Sequence, residues 1–250
     1  MTAAKRPKPT IPPPKPPSHT THSRDPRNNL LPYILHPETH LEVIEYDADF
    51  VVIRDRYPKS TIHLLILPRD PALYTQHPLH ALSSNPDFLE KAKQRVAHVK
   101  KIAASELRRQ FGLVSKSDAP YQKALESLMS SPDPPSPSSR AKLLPQGRDW
   151  EKEIISGVHT HPSMNHLHIH VLSRDMHSLC MKHKKHYLSF TTSFMVGLDE
   201  FPLEEGSPRF HPGDWPSWDM LCWRCGRNFK NQFARLKEHL EEEFEEWKRE

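Results

Sequence analysis

Residues 166–172 read His-Leu-His-Ile-His-Val-Leu, and this strict alternation of imidazole and apolar side chains is typical of a half-buried β-strand. On such a strand the apolar side chains point into a core, and His166, His168 and His170 line the opposite face about 7 Å apart. Three imidazoles on one face indicate a metal site or acid–base and nucleophilic chemistry, because histidine titrates near neutral pH. A chance origin of the pattern is the alternative, because the chain contains 18 His. The clean alternation and the preceding turn-forming Pro-Ser-Met-Asn favour a functional strand.

The pattern around this strand predicts an antiparallel α+β domain over residues 27–200, because strands are followed by one long helix and then by further strands. Residues 115–149 are predicted to be a flexible insertion, since they include the Ser- and Pro-rich stretch Ser130–Ser139. We expect a short helix over residues 27–36, a long helix over residues 86–111, and strands at Leu41–Tyr46, Phe50–Arg54, Ile62–Leu67, Glu153–Val158 and His166–Leu172.

Charge is distributed unevenly along the chain. Residues 237–250 hold seven Glu against three basic residues, so with a total of +4 the rest of the chain carries about +8. This balance fits a polyanionic partner such as nucleic acid, although many proteins without one are equally basic.

Residues 1–26 are Pro-rich and basic and are predicted to be a disordered arm, in which Lys5–Lys8 is a weak candidate for a nuclear localisation signal. No run of 18 apolar residues and no apolar signal core are present, so we expect a soluble, non-secreted protein without a membrane partner.

A second chemical pattern lies in residues 201–250. Cys222 and Cys225 form a Cys-x-x-Cys pair, and His239 follows, with Glu243 one helical turn later on the same face. Two thiolates and two helix ligands are the usual construction of a tetrahedral structural zinc site, and a carboxylate is an acceptable ligand. We therefore predict one structural Zn²⁺, with Glu242 or a remote His as the alternative fourth ligand. A reduced Cys pair beside an amphipathic helix is the non-metal interpretation.

The histidine pattern resembles the histidine-triad superfamily of nucleotide hydrolases and transferases. The segments Asp55–His63, His159–Met164 and Ser178–Phe190, together with the terminal Cys-Cys-His-Glu set, are similar more narrowly to the aprataxin family, in its fungal form. Two departures stand out. Family members place an aromatic residue near the start of the N-terminal helix to stack on a DNA end, where this chain has Pro26, Arg27 and Leu30. The 115–149 insertion has no clear counterpart in the family.

The resemblance implies a histidine-triad fold with a zinc finger, and a nuclear DNA-repair hydrolase that removes AMP from 5′-adenylated DNA ends through a covalent adenylyl-histidine. His168 would be the nucleophile, His170 would bind phosphate oxygens, and His166 would orient its neighbours. His159 would protonate or stabilise the leaving phosphate. The residues expected to bind AMP and phosphate are Lys59, His63, Ser163, Met164, Lys185 and His186, and those expected on DNA are Arg27, Leu30, Arg224, Arg227 and Lys230. Without the resemblance, Lys59 and Lys185 would be taken for solvated surface charges and His63 for a core histidine.

Two other functions stay open at this point. One is a histidine-triad hydrolase of small nucleotides, against which the finger and the basic body argue. The other is a non-catalytic zinc-finger DNA-binding protein, although a single finger seldom gives a strong sequence-specific site. The expected partner is nicked or double-stranded DNA with a 5′-adenylate, and AMP is the expected product. RNA–DNA junctions and a cytoplasmic pool are further possibilities, and a monomer is expected.

Overall fold

The structure is a computed structural model that describes residues 25–250, and it confirms the predicted antiparallel α+β architecture. Its six strands form one sheet in the order β1-β2-β3-β5-β4-β6, and each pair of neighbours is antiparallel. The strands are β1 (Val43–Tyr46), β2 (Phe50–Arg54), β3 (His63–Pro68), β4 (Ile154–His159), β5 (Ile169–Ser173) and β6 (Met195–Gly197).

Eight α-helices surround the sheet in the described residues: α1 (Leu31–Leu35), α2 (Pro71–Tyr74), α3 (Pro78–Ser84), α4 (Pro86–Phe111), α5 (Ala119–Met129), α6 (Pro137–Leu143), α7 (Lys184–Thr191) and α8 (Phe233–Trp247). The predicted long helix is confirmed in α4. It begins where the Asn85 side chain accepts a hydrogen bond from the backbone N–H of Phe88 at 2.9 Å. None of the helices in this part of the chain has the length and apolar character that crossing a membrane requires.

The two faces of the sheet bury different partners, because successive side chains of a strand point to opposite sides. Ile169 and Val171 of β5 pack with the apolar face of α4. Leu172, one residue further on, lies on the other face with α7 and the C-terminal module. Helix α1 covers β2 and β3 on this second face through Leu30 and Ile34. His170 therefore lies on the face that α1, α7 and the C-terminal module share, and the ring of His168 lies 4.9 Å from that of His170 between centroids.

Four parts of the fold differ from the prediction. The short helix expected over residues 27–36 is divided into a 3-10 turn at Pro26–Asn28 and the helix α1. The strand expected over His166–Leu172 begins only at Ile169, so the first two triad histidines precede it. Strand β6 was not predicted, because its three residues carry too little pattern. The insertion at residues 115–149 contains the helices α5 and α6, and the Ser136 side chain caps α6 by accepting from the Ser139 backbone N–H at 3.3 Å. Residues 1–24 of the predicted arm lie outside the described residues.

The insertion is attached to the rest of the chain by buried polar contacts. The fully buried Asp118 carboxylate accepts from Trp150 Nε1 at 3.1 Å, from the Arg148 backbone N–H at 2.8 Å and from Arg108 Nε at 3.1 Å. Arg148 donates to the carbonyl of Trp247 at the end of α8 at 2.6 Å and forms an ion pair with Glu153 at 3.3 Å. These contacts hold α4, the insertion and α8 together.

Candidate active site and metal centre

The tautomer of His168 follows from one hydrogen bond. Its Nδ1 lies 2.8 Å from the carbonyl oxygen of His166. A carbonyl oxygen only accepts, so Nδ1 carries the proton and Nε2 of the neutral ring presents its lone pair. The preceding loop is held in place because the backbone N–H of Leu167 donates to the carbonyl of Tyr74 at 2.8 Å. His168 is thus a buried, neutral imidazole in the form that a nucleophile requires.

A second chain of hydrogen bonds sets the tautomer of His170. The backbone N–H of Lys59 donates to His63 Nδ1 at 3.1 Å, so the proton of His63 is on Nε2. That proton is donated to His170 Nδ1 at 2.9 Å, and the proton of His170 is therefore on its own Nε2. This Nε2 is enclosed and has no hydrogen-bond partner among the described residues. Since a buried donor without a partner is costly, the geometry is suited to an oxygen of a bound ligand.

The site histidines are neutral at pH 7. Burial lowers the pKa of His63 to about 4, although the Asp55 carboxylate opposes the shift. The pKa of His159 falls to about 3, first through burial and then through repulsion by His168 and His63. Burial also lowers the pKa of His168, and it holds that of His170 well below the ordinary value. The site therefore offers lone pairs and neutral N–H donors in place of imidazolium charge.

His159 and His166 flank the central pair. The ring of His159, at the end of β4, lies 4.5 Å from that of His170 between centroids, and its Nε2 is enclosed without a hydrogen-bond partner among the described residues. His166 is 7% exposed, and its Nδ1 is likewise unpartnered in this part of the chain. The rings of His159 and His168 thus lie within 5 Å of the ring of His170 between centroids, His166 is linked to His168 through its carbonyl, and three of the four residues have a buried ring nitrogen without a partner in this part of the chain.

The predicted cationic residues lie in two segments, and Lys59 is close enough to His159 and His170 to help lower the pKa of both. Lys59 is half-buried, and burial lowers its pKa while Asp55 partly offsets the shift. Lys185 and His186 lie in the first turn of α7, and Lys185 is exposed. The backbone N–H of Lys182 donates to His186 Nδ1 at 3.2 Å, so His186 presents Nε2–H. His63, by contrast, has both ring nitrogens engaged, and its contact with a ligand would be indirect, through His170.

The N-terminal segment docks beside the triad. The backbone N–H of Asn165 donates to the carbonyl of Arg27 at 3.0 Å, and Arg27 Nε donates to the carbonyl of Ser163 at 3.3 Å. Arg27 and Ser163 are exposed, and Met164 is half-buried next to the α1 core. Leu30 is only 6% exposed because it packs into that core. This placement leaves Leu30 without a surface on which a DNA end could stack.

The predicted zinc ligands come together at the C-terminal module. One ligand atom from each of Cys222, Cys225, His239 and Glu243 lies within 4.8 Å of the others. His239 Nε2 is 3.1 Å from Cys225 Sγ and 3.0 Å from Glu243 Oε1. Tetrahedral zinc with ligand bonds of about 2.0–2.3 Å spaces its ligands by roughly 3.3–3.8 Å, so a slight expansion of this group would accept the ion. The donor set therefore fits zinc, and Glu243 fills the fourth position.

Asp55, His63 and His170 also lie within 4.8 Å of one another. The ring nitrogens of His63 that face this group are already used by Lys59 N–H and by His170, which argues against a metal there. Asp55 itself was not among the predicted site residues. Its carboxylate is 3.5 Å from His63 Nδ1, and its position in the same motif as Lys59 and His63 was the signal that could have identified it.

The three basic residues of the finger that were predicted on DNA differ in their surroundings. Arg227 and Lys230 are exposed. Arg224 is ion-paired with Glu243 at 2.6 Å and with Glu246 at 3.1 Å, and it also contacts Glu250. Its charge is therefore neutralised within the module, where it supports the metal-site carboxylate.

The sheet, the neutral histidine cluster and the attached Cys-Cys-His-Glu group define a histidine-triad protein with a zinc-binding finger. The sequence profile of the HIT domain matches residues 36–177, and that of the C2HE / C2H2 / C2HC zinc-binding finger matches residues 191–246. The aprataxin-like protein of Schizosaccharomyces pombe is 34% identical over 88% of this chain and 82% of its own length. That of Saccharomyces cerevisiae is 33% identical over 87% of this chain and 95% of its own. The crystal structure of the aprataxin ortholog Hnt3 in complex with DNA superposes with a TM-score of 0.67, at 32% identity over 88% of this chain and 96% of that one. The chain belongs to the aprataxin family.

Proposed function

We propose that the chain is a DNA-repair hydrolase that removes AMP from 5′-adenylated DNA ends. The observation that carries this proposal is the Nδ1–H···O=C bond from His168 to His166, which leaves the Nε2 lone pair of a buried neutral imidazole free to attack. The family relationship supports the choice of substrate, since an Hnt3 structure contains DNA. The protein is proposed to act in the nucleus as a monomer.

The tautomers of His168 and His170 support the following reaction. The Nε2 lone pair of His168 attacks the phosphorus of the AMP moiety, the bond to the DNA 5′-phosphate oxygen breaks, and the 5′-phosphate end leaves with the electron pair. Water then attacks the phosphorus of the adenylyl-histidine, the P–Nε2 bond breaks with its electron pair returning to His168, and AMP is released while one proton of the water is lost to solvent. The Nε2–H of His170 donates to a non-bridging oxygen, and His63 sets that donor by holding Nδ1 of His170 as an acceptor.

The surrounding groups stabilise charge on the two phosphates. His159 stabilises the departing 5′-phosphate, and His166 positions His168 through its carbonyl. Lys59, Lys185 and His186 supply donors to the phosphates, while Ser163 and Met164 line the AMP side. On the DNA, Arg27, Arg227 and Lys230 contact the backbone. Leu30 and Arg224 take no part in DNA contact in this proposal, because the first is buried and the second is ion-paired.

One zinc ion per chain is proposed at Cys222, Cys225, His239 and Glu243. It would supply a structural cross-link between the cysteine loop and α8. All four ligands come from the protein, so no position is left for a reacting water.

The test is to incubate the purified protein with a 5′-adenylated nicked duplex and, separately, with small adenylates such as adenosine 5′-phosphoramidate. We expect AMP and a 5′-phosphate end from the duplex, at a much higher kcat/KM than for the small substrates. Preference for the small adenylates would instead identify a small-nucleotide hydrolase. Duplex binding without AMP release would identify a non-catalytic DNA-binding protein.

A further inference from the structure

The cysteine loop of the finger, residues 221–226, is hydrogen-bonded through one hydroxyl group to helix α7, which carries Lys185 and His186. Tyr187 is fully buried in α7, and its O–H donates to the carbonyl of Leu221 at 2.8 Å. The same oxygen accepts from the backbone N–H of Trp223 at 2.9 Å. Leu221 and Trp223 flank the metal ligand Cys222, so a single side chain holds the backbone on both sides of that ligand.

A second connection leads from the same loop to the segment that carries Lys59 and His63. Trp223 Nε1 donates to the carbonyl oxygen of Asp175 at 3.2 Å. The Asp175 carboxylate, 1% exposed, accepts from the Thr61 backbone N–H at 3.0 Å and from Ser173 Oγ at 2.5 Å. Thr61 lies between Lys59 and His63, and Ser173 ends the triad strand β5.

The side chains between these connections form one continuous core. Phe190 of α7 contacts the site directly, with ring centroids 4.7 Å from His159 and 5.1 Å from His170. The core of this region contains residues from β5, α7 and the finger alike: Leu172, Met176, Met181, Tyr187, Leu188, Phe190, Met220, Cys222, Phe229, Leu236 and Leu240. Such close-packed groups do not shift independently.

We propose that the cysteine loop of the finger helps to position the catalytic groups. Tyr187 and Trp223 are positioning residues, which hold α7 and the Lys59–His63 segment in place relative to the triad histidines. This inference rests on the proposed function. It differs from the simplest expectation for such a finger, in which the metal module only grips DNA and leaves bond breaking unaffected.

The first test separates positioning from DNA binding by measuring kcat and KM on a 5′-adenylated nick. Tyr187→Phe removes the hydroxyl and keeps the ring, and Tyr121→Phe in α5 is the matched control, remote from the triad. We expect kcat of Tyr187→Phe to fall about tenfold with KM changed less than about twofold, since a misplacement of about 1 Å costs up to about 10²-fold. The control should equal wild type. An unchanged kcat, or a loss confined to KM, would overturn the proposal.

The second test does not depend on catalysis or on a folded variant. Hydrogen exchange of the wild-type chain is compared before and after removal of zinc by a chelator. Faster exchange is expected at residues 184–191 and 59–63, with residues 86–111 as the internal control. Faster exchange confined to residues 221–226 would show that the loop is not coupled to α7 or to the Lys59–His63 segment, and it would overturn the proposal. If wild type released no AMP from adenylated DNA, the proposed function would fail while this measurement would still decide the coupling.

Discussion

At the scale of single residues, the reactivity of His168 depends on one main-chain carbonyl. Because that carbonyl holds the proton on Nδ1, the free lone pair is on Nε2. We predict that His168→Ala lowers turnover by at least about 10⁴-fold, as removal of a nucleophile does elsewhere, while DNA binding is kept. The measurement is AMP release from the adenylated nick, with acid quenching to detect an AMP–protein adduct in wild type. His36→Ala, at an exposed histidine, is the control, and wild-type turnover by His168→Ala would contradict the mechanism.

The buried neutral histidines also predict how stability depends on pH. His63 and His159 titrate near the ordinary 6.5 when unfolded, but at about 4 and about 3 when folded. Between pH 6.5 and 4 the unfolded chain therefore binds more protons, and the free energy of unfolding falls as the pH falls, by up to about 1.4 kcal/mol per pH unit for each histidine. Urea unfolding at pH 7.5 and 5.5 measures this loss. A His63→Asn/His159→Asn variant should lose less between the two pH values, and equal losses would refute the assignment.

The sequence was informative about the site where chemistry and periodicity coincide. The clustering of the triad histidines was predictable from their alternation with apolar residues, although only His170 lies in β5, and the Cys-Cys-His-Glu group was predictable because its residue types and spacing are those of a zinc finger. The burial of Leu30 was not predictable because it depends on strands far away in the chain, and the ion pairs of Arg224 were not predictable because they follow no sequence motif. Polar residues that bind a ligand and polar residues that bind one another have the same appearance in a sequence.

At the scale of elements, the finger is a loop and a helix joined by the metal ligands. We predict about one zinc per chain by elemental analysis of wild type, and none in Cys222→Ser/Cys225→Ser, because two ligands cannot replace four. Cys180→Ser is the matched control, since Cys180 lies outside the ligand group and should leave the zinc content unchanged. Undiminished zinc in the double variant would place the metal elsewhere.

The exposed basic residues of the finger loop should determine part of the salt dependence of DNA binding. Each phosphate contact contributes about 0.9 to the slope of log affinity against log salt. We predict that Arg227→Ala/Lys230→Ala makes this slope shallower by about 2, measured by fluorescence anisotropy on a nicked duplex. Arg224→Ala should leave the slope unchanged and lower the melting temperature instead, because Arg224 is paired with Glu243, Glu246 and Glu250. The reverse pattern would contradict these placements.

Elements with strong local patterns were predictable and short ones were not. Helix α4 has both a capping Asn85 and apolar residues at helical spacing, and its predicted bounds are confirmed. Helices α5 and α6 bury no residues, and the short stripe of Tyr121, Leu125 and Leu128 in α5 was outweighed in the prediction by the Ser- and Pro-rich composition of the insertion. Their stability depends on tertiary contacts at the ends of the segment, such as those of Asp118, which sequence patterns do not reveal.

At the scale of the whole molecule, Arg148 joins the insertion to α8. It is 7% exposed, bonds to the carbonyl of Trp247 and to Glu153, and its guanidinium lies 4.2 Å from the ring centroid of Trp150. We predict that Arg148→Ala lowers the free energy of unfolding by about 3 kcal/mol, because it leaves buried partners unpaired. Urea denaturation measures the loss. The exposed Lys142→Ala in α6 is the control, and equal stability of both variants would show that the contact is dispensable.

The two hydrogen-bond chains of the site begin or end in main-chain groups: the carbonyl of His166 for His168, and the amide of Lys59 for His63 and His170. The backbone therefore determines which ring nitrogen attacks and which one donates a hydrogen bond. Most neighbouring side chains can change without altering these two roles. Substitutions on the surrounding surface can therefore adapt the site to new substrates without changing which ring nitrogen of His168 and His170 carries the proton. These proton positions would change only if the backbone conformation changed in the loop before β3 or in the turn before β5.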